Sequence, residues 1–139
     1  MAVDLFVDTS GLYALADHRD ALRPLAKRQV ASRTAAGARL VLTDYVVDEA
    51  CTLAKARAGS YGAFRLLELI ETSAGFCLEW VGPDRFEAAK AHFRKHADHD
   101  YSFTDCTSFV VMRELGLRDA LTSDRHFTEA GFRALLSVE

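Results

Sequence analysis

The sequence predicts an α/β fold, a parallel sheet flanked by helices, in one domain spanning residues 1–139. Three observations lead there. Short apolar runs alternate with longer amphipathic stretches along the whole chain. The first run, Val3 to Val7, is apolar at nearly every position, as a strand covered on both faces requires. Finally, Asp8, Glu49, Asp105 and Asp124 each stand where one of these elements begins or ends. A chain of 139 residues is one ordinary domain that buries roughly two-thirds of its unfolded surface, so it needs no disulfide or structural metal to fold. Crossovers between parallel strands are expected to be right-handed.

The elements follow in order. After the first strand, Thr9 or Ser10 is expected to cap a short helix carrying Leu12, Leu15 and Ala16 on its apolar face. Asp17 to Asp20 form a polar connector. Leu22, Leu25, Ala26 and Val30 mark a second helix, with Pro24 in its first turn and Gly37 at its end. Arg39 to Leu42 reads as a second strand. Thr43 then caps a helix with Val46, Val47, Ala50, Cys51 and Ala54 on one face, stopped by Gly59. The next helix is expected to place Phe64, Leu67 and Ile70 inside and to end at Gly75. Phe76 to Val81 is a third strand, closed by Gly82-Pro83. Phe86, Ala89 and Phe93 mark a helix that decays into His96–Asp100. Thr104 to Leu115 is helical, with Gly116 as the stop. Arg118 to Leu121 is a fourth strand, Asp124 to Ala130 a short helix, and Phe132 to Leu136 a fifth strand.

Composition narrows the class. Half the residues are hydrophobic, which suits a packed core and excludes a disordered chain. No apolar run approaches the ~20 residues of a membrane helix, and no basic segment leads into a signal-peptide core, so no membrane contact is expected. Cys51, Cys77 and Cys106 are an odd number without C-x-x-C spacing, read as reduced core residues of a cytoplasmic protein. A net charge of −3 does not by itself advertise nucleic-acid binding. Arg19, Arg23 and Lys27 nevertheless recur at i, i+4 and i+8. They make either a solvated helix face or a stripe that tracks phosphates.

Each acidic residue has a plain structural reading: an Asx turn or cap for Asp8, a surface position for Glu49, dipole complementation for Asp105, a cap for Asp124. Glu49 borders the apolar face set by Val46, Ala50 and Leu53, whereas Asp48 should face solvent. Small residues Thr9, Ser10 and Gly11 after Asp8 leave room for a cation and a phosphate. Ligands of parallel α/β sheets bind beyond the carboxyl ends of the strands. Asp8 and Asp124 sit just past strands one and four, so those strands must be neighbours for one site to form. Unpaired carboxylates ~5 Å apart repel by about 3 kcal/mol per pair at an effective dielectric of ~20. A divalent cation removes that cost and can activate water against a phosphodiester. His92 and His96 lack the glutamate of an H-E-x-x-H zinc site, and phosphate-cradling glycine loops are absent.

These segments resemble the PIN-domain ribonucleases, specifically the VapC-type toxins of toxin–antitoxin pairs. Val7-Asp8-Thr9-Ser10-Gly11-Leu12 is similar to the first acidic motif, and Thr43 with Glu49 to the second. Ser102-Phe103-Thr104-Asp105-Cys106 is close to the third. Leu121-Thr122-Ser123-Asp124-Arg125-His126-Phe127 resembles the fourth. The resemblance runs from residue 3 to about residue 136. It implies a five-stranded parallel sheet in the order 3-2-1-4-5 and endonucleolytic RNA cleavage dependent on Mg²⁺, with Mn²⁺ able to substitute. It assigns Asp8, Glu49, Asp105 and Asp124 as catalytic and metal-holding residues. Homodimers and a cognate VapB-like antitoxin entering the active-site groove are also implied. Thr9 and Ser10 are candidates for orienting a metal water or phosphate oxygen, and Arg19, Arg23 and Lys27 for holding the RNA backbone. His18, Arg125 and His126 lie beside the motifs.

Other acidic α/β sites fit less well. A phosphoryl receiver needs an acceptor Asp after strand three, where this chain has Val81-Gly82-Pro83. A haloacid-dehalogenase-like phosphatase needs D-x-D, where it has Asp8-Thr9-Ser10. A nuclease on structured DNA and a non-catalytic metal-binding module remain as alternatives.

Overall fold

The computed structural model describes residues 3–137; the outermost ends of the expected domain, residues 1–2 and 138–139, lie outside the described residues. Strands β1 (Leu5–Val7), β2 (Leu40–Thr43), β3 (Phe76–Glu79), β4 (Asp119–Leu121) and β5 (Arg133–Ala134) form one sheet in the order β3-β2-β1-β4-β5. Every pairing is parallel, and Phe6 of β1 lies between Val41 of β2 and Ala120 of β4. Helices α1 (Thr9–Ala16), α2 (Arg23–Ala35), α3 (Asp44–Thr72), α4 (Gly82–Lys95), α5 (Phe103–Glu114) and α6 (Arg125–Glu129) cover it. Strands one and four are therefore neighbours, as a single acidic site requires. No described helix is long and apolar enough to cross a membrane.

The period of two in β1 builds both cores. Leu5 and Val7 join Leu12, Leu40, Leu42 and Leu66 on one face of the sheet. Phe6 joins Val41, Phe109, Met112 and Phe127 on the other. Phe109 meets Phe127 edge-on at a centroid distance of 5.1 Å, an arrangement the aromatic quadrupole favours. Both faces are covered, which is why β1 reads as a continuous apolar run.

Several boundaries and faces differ from expectation. β1 starts at Leu5 because Val3 is exposed and Asp4 turns to Arg39, accepting its backbone N–H at 2.8 Å. Asp8, not Thr9 or Ser10, occupies the N-cap of α1, and it makes no capping hydrogen bond there. α2 begins at Arg23, so Arg19 lies in the preceding turn and the expected basic stripe is not carried by one helix. β3 ends at Glu79 and β5 is only Arg133–Ala134, with flanking Phe132 packing against the core instead. Gly59 does interrupt α3, with φ 71°. Beyond it, Ala63 and Leu66 face the core, whereas Phe64 and Leu67 are exposed at 63% and 38%. Apolar residues at 63, 64, 66, 67, 69 and 70 leave two possible stripes, and periodicity cannot choose between them. Cys106 is buried, but Cys51 and Cys77 are only half-buried; all three are free thiols.

Candidate active site

The carboxyl ends of β1 and β4 meet at a close approach. Gly11 on α1 packs so tightly on β4 that an added Cβ would collide with the Leu121 carbonyl oxygen. That contact, together with the pairing of Val7 with Leu121, sets Asp8 against Thr122. Thr122 donates its hydroxyl to Asp8 Oδ2 at 2.9 Å and accepts the Asp124 backbone N–H at 3.0 Å. Its single proton is thereby used, so the Ser10 hydroxyl, 3.1 Å away, donates to Thr122. Ser10 in turn accepts the Ser123 backbone N–H at 3.0 Å. A chain of hydroxyls from Ser10 through Thr122 thus fixes Asp8.

The other acids arrive from three helices. Glu49 lies in the second turn of α3, where its Oε1 accepts the Thr9 hydroxyl at 2.7 Å; neighbouring Asp48 is exposed. Asp105 is the third residue of α5, in a reciprocal capping box with Ser102. Its Oδ2 accepts the Ser102 backbone N–H and faces His126 Nδ1, each at 3.0 Å. Asp124 caps α6 by accepting the His126 backbone N–H at 2.9 Å. The capping reading of Asp124 therefore holds, and Asp105, expected only to complement the helix dipole, also closes a capping box; each engages one named oxygen and leaves the other outside the cap.

Asp8, Thr9, Ser10, Glu49, Ser123 and Asp124 line one open cavity of about 300 Å³, which Tyr13 and Arg57 also border. Asp105 is not part of this lining, but it is near enough to Asp8 and Asp124 for their charges to interact. Burial pushes the Asp8 carboxyl up to about 7, against the backbone N–H of Thr9 and the Thr122 hydroxyl; the charges of Asp105 and Asp124 push the same way. Asp105 is also raised, chiefly by burial, with Asp124 adding to it and Ser102 and His126 opposing it.

Among the described residues, no Lys or Arg forms an ion pair with any of these four carboxylates, whereas Asp119 at the opposite end of β4 pairs with both Arg33 and Arg133. Arg57 borders the cavity but lies over the Tyr13 ring, and carboxylates gathered without an ion pair are a donor set that fits a divalent cation. One oxygen each from Asp105 and Asp124 and one ring nitrogen of His126 lie within 4.8 Å of one another. His96, Asp98 and His99 offer a comparable group on the connection between α4 and α5, and none of the three lines this cavity.

The structure thus gathers Asp8, Glu49, Asp105 and Asp124 with Thr9 and Ser10. Arg19, Arg23 and Lys27 do not line this cavity. His126 and Thr122 acquire roles that sequence reasoning did not give them. Both lie inside the fourth motif, but only the fold of α6 turns His126 back toward Asp105.

A folded edge of this kind defines a class, and comparison with known proteins gives the same one. The PIN domain family matches residues 5–133. The 23S rRNA-specific endonuclease VapC20 of Mycobacterium tuberculosis, found in two strains, is 36% identical over 128 residues, covering 92% of this chain and 95% of the relative. The crystal structure of Mycobacterium tuberculosis VapC20, described as a Sarcin-Ricin loop cleaving toxin, matches with a TM-score of 0.83 at 35% identity. It covers 93% of this chain and 96% of that one. The chain belongs to the PIN-domain family, within its VapC-type branch.

Proposed function

We propose that this protein is the endoribonuclease toxin of a toxin–antitoxin pair and hydrolyses an RNA phosphodiester with the help of Mg²⁺, or Mn²⁺ in its place. The observation that carries this reading is the gathering of Asp8, Glu49 and Asp124 around one open cavity with Asp105 close by, none in an ion pair with Lys or Arg among the described residues, and with the Asp8 carboxyl pushed up to about 7. Asp8, Asp105 and Asp124 would hold the cation, and Glu49 would hold it directly or through water. Such a cation lowers the pKa of its water and neutralises charge developing on the phosphate. The side chains supply the rest. Thr122 fixes the Asp8 carboxylate through Oδ2. Ser102 and His126 engage Asp105 Oδ2, which leaves Oδ1 for the cation. Thr9 orients Glu49 through its hydroxyl. The family resemblance implies that water displaces the 3′-oxygen, which would leave a 5′-phosphate and a 3′-hydroxyl.

The relatives named for 23S rRNA and for the Sarcin-Ricin loop support that loop as the first RNA to test. A VapB-like antitoxin, a homodimer and a cytoplasmic location belong to the same reading. Purified protein is expected to cut ribosomes at one position in that loop, mapped by primer extension, and Asp105→Asn is expected to stop the cut while leaving the fold intact. Full activity in Asp105→Asn would refute the assignment. Cuts elsewhere in the RNA would keep the nuclease and change its target.

A further inference from the structure

A second cavity, of about 340 Å³, opens beside the acidic one, between the end of α1 and the stretch of α3 on either side of Gly59. Its apolar lining comes from Ala16, Ala54 and Ala58, of which Ala54 is buried. Its rim carries Tyr61, Arg19 and Arg65. Tyr61 is 74% exposed, although an aromatic ring gains most from burial. The two cavities meet at Tyr13, which lines both, and the Arg57 guanidinium lies over the Tyr13 ring at 5.2 Å.

Resting on the ribonuclease reading, we propose that this cavity takes the unstacked base of a nucleotide next to the one cut. The base stacks on Tyr61, and the adjoining phosphates lie against Arg19, Arg57 and Arg65.

Three features favour a nucleotide. Single-stranded loops present splayed bases that stack on aromatic side chains, and a cavity of this volume holds one base with its sugar. The charge is complementary: Arg19 and Arg65 stand on the rim and Arg57 at the border, three cations against one rim acid, Asp17, which accepts the Arg19 backbone N–H at 2.9 Å and pairs with its side chain at 3.7 Å. His18, also on the rim, is held below its usual pKa, first by Arg23 and also by Arg65 and Lys27, so the positive field extends along α2. Lastly, the shared wall at Tyr13 lets one strand occupy both cavities, its scissile phosphate at the acids and the next base at Tyr61. In the sequence Arg19, Arg23 and Lys27 read as a stripe on one helix. In the fold Arg19 stands on the rim itself, and Arg23 and Lys27 act on it through the field at His18.

The test uses the full chain with Ca²⁺ in place of Mg²⁺ and a Sarcin-Ricin stem-loop RNA carrying 2-aminopurine in turn at each loop position. Wild type should quench the fluorophore at one position adjacent to the mapped cut. Tyr61→Ala should abolish that quench and weaken RNA binding roughly 5- to 100-fold, and Tyr61→Phe should restore both. Trp80→Ala, an exposed aromatic in a different cavity, should bind as wild type. Unchanged affinity and quench in Tyr61→Ala would overturn the base site while leaving the nuclease reading intact. Wild-type protein that cuts no RNA in Mg²⁺ or Mn²⁺ would overturn the nuclease reading, and the base site with it. Loss in Tyr61→Ala of binding to an antitoxin peptide, with RNA binding unchanged, would assign the cavity to protein and overturn the proposal.

Discussion

Asp8 is the most buried of the four acids, 4% exposed, with its carboxyl raised from 3.8 to about 7. Because the folded value lies above the unfolded one, the folded chain binds more protons between about pH 4 and pH 7. The Asp8 contribution to stability without metal falls as pH rises through that window, by on the order of 4 kcal/mol if the whole shift is realised, while His92, held down to about 4 chiefly by burial, contributes in the opposite sense. Asp8→Asn should therefore be more stable than wild type above pH 7 in EDTA, by urea denaturation, and should gain nothing from added Mg²⁺. A stability difference between wild type and Asp8→Asn that is flat from pH 4 to pH 7 would count against this. At Asp105 the test is its partner. His126→Leu removes one of the two groups on Oδ2 and should weaken Mn²⁺ binding roughly tenfold or more by calorimetry. His126→Asn, whose amide can reach the same oxygen, should recover most of it, and wild-type affinity in His126→Leu would refute the positioning role. The four acids were legible because their motifs stand at element ends. The contact of His126 with Asp105 was not, because 21 residues separate them and only the tertiary fold closes that gap.

Elements matter here through their ends. α1 can start at Thr9 and bring Ser10 to Thr122 only because residue 11 has no side chain. Gly11→Ala is expected to push α1 off β4 at a cost of about 1–3 kcal/mol. It should also weaken metal binding, since the Asp8 backbone N–H reaches the same Leu121 carbonyl at 3.3 Å. A fall in stability with metal affinity unchanged would separate packing from site assembly. Strand positions were readable from short apolar runs, and Gly59 from its place between two helical patterns. The inner face of the second half of α3 was not, because Phe64 and Leu67 compete with Ala63 and Leu66 for the same period. Only packing against the core decides between them.

Over the whole chain, a protein of net charge −3 must hold a polyanion through local concentration of charge. Composition hid this, since Arg19 is far in sequence from Arg57 and Arg65, and the three come together only in the fold, around Tyr13 and Tyr61. Neutralising Arg19, Arg23 and Lys27 together should reduce the slope of log affinity against log salt by about 0.7 for each phosphate that no longer meets a cationic side chain. An unchanged slope would return these residues to a solvated surface. Sheet order was legible only through the resemblance, since spacing alone required β1 and β4 to be neighbours without ordering the other strands.

If a cation held by these acids cuts RNA, the reaction itself is the sharpest test. Purified protein should be incubated with total cellular RNA in Mg²⁺ or Mn²⁺, beside EDTA and Asp8→Asn controls, with chemical mapping of the new ends. Cuts are expected at a few positions bearing 5′-phosphates, absent in EDTA and in Asp8→Asn. Cuts that persist in EDTA, or no cuts with either metal by folded protein free of antitoxin, would show that these carboxylates do not form a metal-dependent ribonuclease site.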